Sequence, residues 1–560
     1  MGLITAALES KNLPPLSSSV QTHDAALKAS SELVRHTLDD GLIQRIVGAA
    51  LPPDYSGNTL TELPGMIASA REKGFAAQSG DSTMVQLVLR YVEVAGITLF
   101  RDHRERAFMS VPQPGGAILN YQLGTKRAKA VLGRLFHEQR GRPLPSKQLK
   151  EALDALEAMA AFQGEKCDVF LRAARTPGAI YIDLGRDDGR VVEITAEGWH
   201  MADLCPVKFE RRAGFGELPA PAEGGSVRAL QELLQLDENT FILVIAFLLN
   251  CLRHGSAYMC LFVEGEQGSG KSFLCEILKR IIDPNAPLRF RLPGDERNLM
   301  VQANSYFLPV FDNVSGMKGD MSDALCTLST GGGFATRQLY TNDEVAIIDV
   351  TRPFIINGIG DFAHRPDLME RGIPVKLAAM KPENRRTEDQ LRAEFMAMLP
   401  GLLGALYDIV AAALRNGPSV ALDRPIRMAD CAKWLMAAEP ATGFPSGIIL
   451  PLIERAQTEM VIDQVVDLPL TMALRKLLLG GPAEGTVGEI FAQLIIDRPK
   501  GDYAFPATPA HLSKQLKRLK PALEKADICL EFGPHRREGK LIKIWRKDQA
   551  EGTFRNVAEF

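Results

Sequence analysis

The stretch from Gly265 to Ser272 has the composition and spacing of a phosphate-binding loop. It matches G-x-x-x-x-G-K-[ST], follows the apolar stretch Cys260–Val263 and precedes a helical pattern. Its glycines let backbone N–H groups turn toward phosphate oxygens, Lys271 can reach the β- and γ-phosphates, and the Ser272 hydroxyl can ligate magnesium. We therefore predict ATP and Mg²⁺ as cofactors. The predicted nucleotide-binding residues are Gly265, Glu266, Gln267, Gly268, Ser269, Gly270, Lys271, Ser272 and Phe273.

Hydrolysis of ATP also needs an acidic residue near the magnesium, at the end of a neighbouring buried strand. Asp312 has this position because it ends the apolar stretch Tyr306–Phe311, and it is the second predicted magnesium ligand. The next residue is Asn313, whose amide cannot take a proton from water. Three explanations remain open: Asp312 does both jobs, a carboxylate such as Glu264 or Glu266 orients the water, or turnover is slow.

A third apolar stretch, Pro353–Asn357, also ends in a polar side chain. After both elements of the nucleotide site, Asn357 is predicted to face the γ-phosphate as a sensor. An asparagine alone is more often a turn residue.

The elements that must position these residues predict a multidomain α/β protein. A chain of 560 residues exceeds the usual size of one core, and alternating helix and strand patterns surround the loop. The predicted divisions are a mostly helical accessory region at 1–95, an α+β module with its linker at 96–225, a P-loop ATPase domain at 226–415, a helical region at 416–484 and a DNA-binding domain at 485–560.

The composition argues against a disordered chain and against a membrane protein. The fractions of 46% apolar and 24% charged residues are ordinary for a soluble globular protein. The longest apolar run, Phe241–Leu249, is shorter than the roughly 20 residues of a membrane helix, and the N-terminus lacks a secretory pattern. The eight cysteines show neither a C-x-x-C pair nor zinc-ligand spacing with histidine. We expect a cytoplasmic protein that does not enter a membrane.

The C-terminal segment is locally basic, although the chain as a whole carries a formal charge of −3. Residues 506–548 contain eleven Lys or Arg and five Asp or Glu. Thr508 and Pro509 are suited to begin a helix with leucines on one face. A preceding helix and a following hairpin predict a winged helix that binds duplex DNA; a solvated basic face is the alternative. The predicted contacts are Lys514, Lys517, Arg518 and Lys520 on the helix and Arg536 and Arg537 at the wing tip.

The block from Gly265 to Asn357 resembles the ATPase core of superfamily 3 helicases within the AAA+ class. It is most similar to the helicase and primase-helicase-like ATPases of prophages, satellites and integrative elements. The resemblance lies in Val310–Gly316, Ser322–Thr341 and Arg352–Gly358, and extends less sharply over about half the chain. It implies a ring, a hexamer, with single-stranded DNA in its channel, and an initiator or a primase as a further partner.

The resemblance also suggests residues that act on DNA and on a neighbouring subunit. The family places a β-hairpin in the ring channel, here Thr336–Tyr340 and Val345–Val350, and Arg337 is the candidate DNA contact. The turn carries two acids and no lysine, which departs from the family. Arg371, just before the strand Ile373–Leu377, is the candidate arginine finger, with Arg365 second. A surface arginine and a helix-end arginine are the respective alternatives.

These features predict a ring-forming DNA helicase that replicates a mobile genetic element. The first alternative is an ATP-switched DNA-binding regulator or defence ATPase that assembles without unwinding, which the amide of Asn313 favours. A second alternative adds primase activity in residues 96–209. That segment contains neither a zinc-binding cysteine set nor a convincing cluster of catalytic acids.

Overall fold

A computed structural model gives the fold of the chain. It describes residues 16, 22–35, 38–52, 57–72, 84–255, 257–337, 345–358, 365–379, 386–466, 468–497, 505–537 and 539–548. The chain forms two compact units, one of Met1–Gln113 and Ile118–Asp168, the other of Pro114–Ala117 and Val169–Phe560. The boundary between them falls inside the segment 96–225.

The N-terminal unit combines helices with one mixed sheet. Its helices are α1 (Thr22–Arg35), α2 (Asp40–Ala50), α3 (Thr59–Glu72), α4 (Met84–Val94), α5 (Lys126–Arg140) and α6 (Ser146–Gln163). Its strands are β1 (Thr98–Arg101), β2 (Ala107–Pro112), β3 (Ile118–Gln122) and β4 (Glu165–Lys166), in the order β3-β2-β1-β4. Helix α5 begins at the cap Thr125 and ends at Gly141, whose φ of 65° favours glycine. The sequence pattern predicts helices at about Lys126–Gln139 and Ser146–Phe162, and α5 and α6 confirm both within one residue.

The C-terminal unit contains the remaining strands. They are β5 (Val169–Phe170), β6 (Ala173–Thr176), β7 (Ala179–Asp183), β8 (Val191–Ile194), β9 (Trp199–Ala202), β10 (Lys208–Phe209), β11 (Cys260–Gly265), β12 (Val310–Val314), β13 (Gly333–Arg337), β14 (Val345–Asp349), β15 (Ile355–Gly358), β16 (Gly372–Leu377), β17 (Ala483–Thr486), β18 (Ile528–Arg536) and β19 (Gly539–Arg546). Strands β6 to β9 form an antiparallel sheet in sequence order. Strands β12, β15, β11 and β16 form a parallel sheet in that order.

The helices of this unit cover the parallel sheet and continue beyond it. They are α7 (Arg228–Leu234), α8 (Glu238–Leu252), α9 (Lys271–Ile282), α10 (Glu296–Ser305), α11 (Gly319–Thr330), α12 (Pro366–Met369), α13 (Glu388–Asn416), α14 (Ala429–Ala438), α15 (Ile449–Val466), α16 (Pro469–Leu477), α17 (Val487–Leu494) and α18 (Pro509–Lys525). Helix α8 is apolar on all sides and is buried from Thr240 to Leu252, as expected for a central core helix. Alternate residues of β11 belong to two different cores, one on each face of the sheet.

One helix among the described residues is long and apolar enough to cross a membrane by length and composition. It is Glu388–Ser419, which is α13 with its final 3₁₀ turn, and 61% of its apolar window is buried inside the protein. A core helix passes the same test, so this finding is weak evidence for a membrane span.

Three predicted strand boundaries were wrong, and the structure shows the reason for each. Strand β12 begins at Val310 rather than Tyr306, because the N–H groups of Phe307 and Leu308 donate to a buried carboxylate and Pro309 has no N–H. Strand β15 begins at Ile355, two residues after Pro353, which has no N–H to donate to a neighbouring strand. The sequence pattern also predicts a strand at Val169–Arg172, but β5 ends at Phe170, since Arg172 has a φ of 56°.

A buried ionic network joins the small antiparallel sheet to α9. Arg172, 1% exposed, donates to Asp283 Oδ1 at 3.2 Å, and Lys279 of α9 donates to Asp283 Oδ2 at 2.8 Å. That second oxygen also accepts from the backbone N–H groups of Phe307 and Leu308. Burial raises the pKa of Asp283, but Lys279 and Arg172 outweigh it and lower this pKa to about 2. The carboxylate therefore stays charged and holds three elements together.

The C-terminal segment forms a small helical and β unit. Strands β17, β19 and β18 pair antiparallel in that order, and α17 and α18 pack beside them. Thr486 and Glu489 form a capping box at the start of α17. Thr508 accepts from the N–H of His511 and caps α18 as predicted. The leucines predicted to face the core, Leu512, Leu516, Leu519 and Leu523, are buried or packed against it. Strand β17 was not predicted.

Candidate nucleotide-binding site

The predicted phosphate loop joins β11 to the first residue of α9. Gly268 and Gly270 have φ values of 81° and 83°, which L side chains rarely adopt. Gly265 has no room for a side chain, because a Cβ there would lie 2.6 Å from Ser269 Oγ and 2.7 Å from the carbonyl oxygen of Leu377. The first N–H groups of α9 have no partner within the helix and carry its positive end. The loop therefore has the backbone of an anion cradle.

Lys271 and Ser272 begin α9 directly beneath the loop. Lys271 Nζ donates to the carbonyl oxygens of Gly265 at 2.8 Å and Glu266 at 2.7 Å. Ser272 Oγ donates to Asp312 Oδ1 at 3.0 Å. The two predicted magnesium ligands are therefore neighbours, although 40 positions separate them in the sequence.

Asp312 lies on β12, which is not the immediate neighbour of the loop strand. Strand β15 lies between β11 and β12. The second carboxylate oxygen, Asp312 Oδ2, accepts from Arg289 Nη1 at 2.5 Å. Arg289 reaches it because the backbone around Phe290 pairs in parallel with β12 at Phe311. Sequence reasoning missed Arg289, since no local motif marks it.

Asn357 is the penultimate residue of the intervening strand β15 and is 1% exposed. Its Oδ1 accepts from the backbone N–H of Asn313 at 2.8 Å, and its Nδ2 donates to Cys275 Sγ of α9 at 3.4 Å. Asn313 has a φ of 57°, and its side chain is exposed. Asn357 thus links the segment after Asp312 to the helix that follows the phosphate loop.

The two alternative water-orienting carboxylates lie in different surroundings. Glu264 is in register with Lys376 of β16 and lies on the sheet face opposite Asp312, because the side chains of a strand alternate between faces. Glu266 is exposed within the phosphate loop. Because its side chain lies on the other face of the sheet, Glu264 is the less favourable candidate for orienting the water. Glu266 lies within the phosphate loop, beside the site.

Two cavities adjoin the site. One, of about 240 Å³, is lined by the end of α7, by Ser269, Gly270 and Phe273 of the loop and helix, and by Arg386. The other, of about 880 Å³, lies against Asp312 and Asn313 and contains Arg289, Arg291 and Lys318 on its wall.

The two candidate finger arginines lie at the edge of the sheet opposite the phosphate loop. The carbonyl oxygen of Arg371 accepts from the N–H of Cys260, the first residue of β11. Its guanidinium donates to the carbonyl oxygen of Asp367 at 2.6 Å. Arg365 donates to Asp323 at 2.6 Å and is 41% exposed. The five steps of strand from Cys260 to Gly265 place this edge about 17 Å from the loop, at ~3.3 Å per residue.

The structure describes only some of the side chains that are predicted to contact DNA. Strands β13 and β14 pair antiparallel as the predicted hairpin, but its turn and the side chain of Arg337 lie outside the described residues. On α18, Lys514, Lys517 and Arg518 are exposed, and Lys520 pairs with Glu524 at 3.7 Å. Arg537 is exposed at the tip of the second hairpin, β18 to β19, and the side chain of Arg536 lies outside the described residues.

Two family models match parts of the C-terminal unit. Residues 229–448, which contain the phosphate loop, Asp312, Asn357 and Arg371, match the actinomycete integrative conjugative element replication protein. Residues 470–554 match the AICE RepA C-terminal domain. Over these ranges the chain is similar to this family of replication proteins. The matches support a role in the replication of an integrative conjugative element, and they span both the candidate nucleotide site and the basic C-terminal segment.

Other comparisons add little. No curated protein gives a match. The apo structure of the NrS-1 C-terminal region is similar at 12% identity and a TM-score of 0.38, covering 82% of this chain and 98% of that one. A structure of JCV helicase with a bound acetamide compound is similar at 13% identity and a TM-score of 0.20, covering 42% and 71%. At these scores the similarities carry no argument about function.

Clusters of three or more metal-binding side chains are absent from the described residues. A magnesium ion held by nucleotide phosphates needs only one or two protein ligands. The pair Ser272 and Asp312 is sufficient for such a site.

Proposed function

We propose that this protein is an ATP-hydrolysing DNA helicase that acts in the replication of an integrative conjugative element. The observation that carries the proposal is the convergence of the phosphate loop, Ser272, Asp312 and Asn357 at one edge of a parallel sheet. This edge follows the carboxyl ends of the strands, where open α/β sheets bind ligands. The replication family matches supply the biological setting.

The residues of the loop fit a nucleotide. Ser269 Oγ is buried and has no hydrogen-bond partner among the described residues, so a phosphate oxygen would satisfy it. The cavity of about 240 Å³ beside Ser269, Gly270 and Phe273 is an apolar space in which we expect the base.

Each polar residue of the site would have a role in binding or hydrolysing ATP. Magnesium-bound ATP would supply the phosphoanhydride bond and a Lewis acid that offsets its developing charge. Lys271 would exchange its two carbonyl acceptors for phosphate oxygens, and Ser272 and Asp312 would hold the ion. Asn357 would transmit the state of the site to the segment around Asn313. The residue that orients the attacking water remains Asp312 or Glu266.

The position of Arg371 supports a site shared between subunits. A distance of about 17 Å along the sheet prevents this side chain from contacting its own phosphate loop. In a ring, the guanidinium of Arg371 would leave the carbonyl oxygen of Asp367 and reach the γ-phosphate of the next subunit. Arg365 lies at the same edge and is the second candidate for this contact. This arrangement, with the sensor and the β13–β14 hairpin, supports a hexameric AAA+ ring of the superfamily 3 type.

Two surfaces would contact DNA. The hairpin β13–β14, with Arg337, would face single-stranded DNA in the ring channel. The C-terminal segment, with its two helices and its hairpin β18–β19, would act as a winged helix, and the basic side chains of α18 and Arg537 would contact duplex phosphates.

A second function is favoured by Asn313, which replaces a carboxylate beside the expected water. An ATP-switched regulator would bind nucleotide and assemble on DNA without unwinding it. An assay of strand displacement from a forked DNA, with ATP and with a non-hydrolysable analogue, distinguishes the helicase from the regulator. A helicase releases the labelled strand only with ATP, and the Lys271→Ala variant releases none. Nucleotide-dependent assembly on the fork without strand release would instead establish the regulator.

A further inference from the structure

Helix α5 and the start of α6 form a strongly basic surface in the N-terminal unit. Residues 126–150 contain eight Lys or Arg and a single acidic residue, Glu138, in a chain whose formal charge is −3. All eight basic residues of this segment are exposed. They are Lys126, Arg127, Lys129, Arg134, Arg140, Arg142, Lys147 and Lys150. We call these residues the α5 surface.

The charges of α5 are placed on one side of the helix. Ala128, Leu132 and Phe136 are buried against the unit's core. At about 100° per residue, Lys126, Arg127 and Arg134 lie on the opposite arc. Lys129 and Arg140 lie at its edge, where Arg140 Nε donates to the hydroxyl of Tyr91 at 2.6 Å. The core explains the apolar face but not the concentration of positive charge. Moreover, Lys126 and Arg127 lie in the first turn, where a cation is unfavourable next to the helix dipole.

Two of the cations in this surface form ion pairs with exposed acids. Arg134 lies 3.7 Å from Glu138 and Lys147 lies 3.9 Å from Glu151, and both pairs are exposed. Exposed pairs at such distances contribute little. Glu157 on α6 lies near Lys129. The net charge of the surface remains positive.

Gly133 supplies an independent observation. It lies inside α5 within the basic arc, although glycine destabilises a helix interior relative to alanine. A Cβ at this position would meet nothing within 4 Å, and Gly133 does not adopt a positive φ, so neither packing nor backbone conformation requires glycine. Ala130 lies on the same arc. Small residues between cations let an external backbone approach the helix closely.

We infer that the α5 surface binds the phosphate backbone of duplex DNA, as a site in addition to the basic C-terminal segment 485–560. A helix of 15 residues is about 22 Å long, enough to follow several phosphates. The arc contains no Phe, Tyr or Trp on which unpaired bases could stack, which favours a duplex over a single strand. The contacts are to phosphates and carry no base specificity.

The test measures how duplex affinity depends on salt for the full-length protein without nucleotide. The background carries three substitutions that remove C-terminal charges, Lys514→Gln, Lys517→Gln and Arg518→Gln. In this background the test variant adds Lys126→Gln, Lys129→Gln and Arg134→Gln. The matched control adds instead Arg71→Gln, Arg101→Gln and Lys166→Gln, which remove the same charge from cations that are paired with Asp40 and Glu105.

The test variant should flatten the log–log slope of affinity against salt by about 0.9 for each phosphate that the protein no longer neutralises, and by up to about 3 for all three substitutions. The control should leave the slope unchanged. An unchanged slope in the test variant, or an equal change in the control, overturns the inference.

A second pair of variants keeps the result independent of folding in the triple variant. Gly133→Glu introduces a carboxylate into the arc, where there is room for it, and should weaken duplex binding several-fold at low salt. Gly133→Ala introduces only a methyl group and should weaken it far less. Equal affinities for the two variants contradict the proposed surface, even if helicase activity is established.

Discussion

Replacing Arg289 with glutamine should lower the magnesium concentration that nucleotide binding requires. Arg289 Nη1 lies 2.5 Å from Asp312 Oδ2, and Ser272 Oγ lies 3.0 Å from Asp312 Oδ1. Both oxygens of the predicted magnesium ligand are therefore already engaged. A bound cation must compete with the guanidinium for this carboxylate, so removal of the guanidinium favours the ion.

The size of the effect follows from the exposure of the pair. The side chains of Arg289 and Asp312 are 36% and 23% exposed. Two charges 4 Å apart at an effective dielectric of 20 interact by about 4 kcal/mol, whereas exposed pairs contribute about 0.2–1 kcal/mol after desolvation and ordering. With about 1 kcal/mol opposing the ion, the half-saturating magnesium concentration should fall about fivefold in Arg289→Gln.

The assay is a magnesium titration of the binding of a fluorescent ATP analogue to the full-length protein. Arg291→Gln is the matched control, because it removes the same charge from an exposed side chain of the same cavity. A midpoint that is unchanged or higher in Arg289→Gln refutes the competition. An equal shift in the control would show that only the overall charge of the cavity matters.

Three further predictions concern turnover, the shared site and stability. Asn313→Asp should keep magnesium-dependent nucleotide binding and raise ATP turnover by up to about 10²-fold. The reason is that aspartate tolerates the left-handed backbone at this position and can accept a proton from water. Loss of nucleotide binding would instead assign a structural role to the amide of Asn313. Mixed Arg371→Ala and Lys271→Ala subunits should hydrolyse ATP above the sum of the separate samples, because a finger contributes about 10³–10⁵ in rate; mixed rings without activity would exclude a shared Arg371. Asp283→Asn should destabilise the protein by about 3–5 kcal/mol in denaturant unfolding at pH 7, because two buried cations lose their partner. In the folded protein the pKa of Asp283 is lowered to about 2, so this stabilisation is present above pH ~4 and is lost toward pH 2. Acid should therefore narrow the difference in unfolding free energy between the wild type and Asp283→Asn. If this difference does not narrow, the carboxylate is not charged in the folded protein.

Sequence reasoning succeeded where the chemistry is local. The loop at Gly265, its flanking strand and helix, and the cap at Thr508 follow from residue types at fixed spacing, because each needs only its neighbours in the chain. The proximity of Ser272 to Asp312 was also predictable, since the carboxyl ends of parallel strands meet at one edge.

The remaining features depend on interactions between distant segments. Arg289 becomes part of the site only because the backbone at Phe290 pairs with β12. Strand β17 has the unremarkable sequence Ala-Glu-Gly-Thr and exists because β19 supplies its hydrogen bonds. Strand β12 starts late because Asp283, from the end of α9, takes the N–H groups before it. None of these partners is adjacent in sequence, so no local pattern reports them.

Phosphate release from ATP by the full-length protein is the most direct test of the candidate nucleotide site. The wild type should turn over ATP only with magnesium. Lys271→Ala should fold normally and lose this activity by at least about 10²-fold, because the lysine offsets charge that develops on the transferred phosphoryl group. Wild-type turnover in Lys271→Ala, or turnover by the wild type without magnesium, would contradict a site built on Lys271, Ser272 and Asp312.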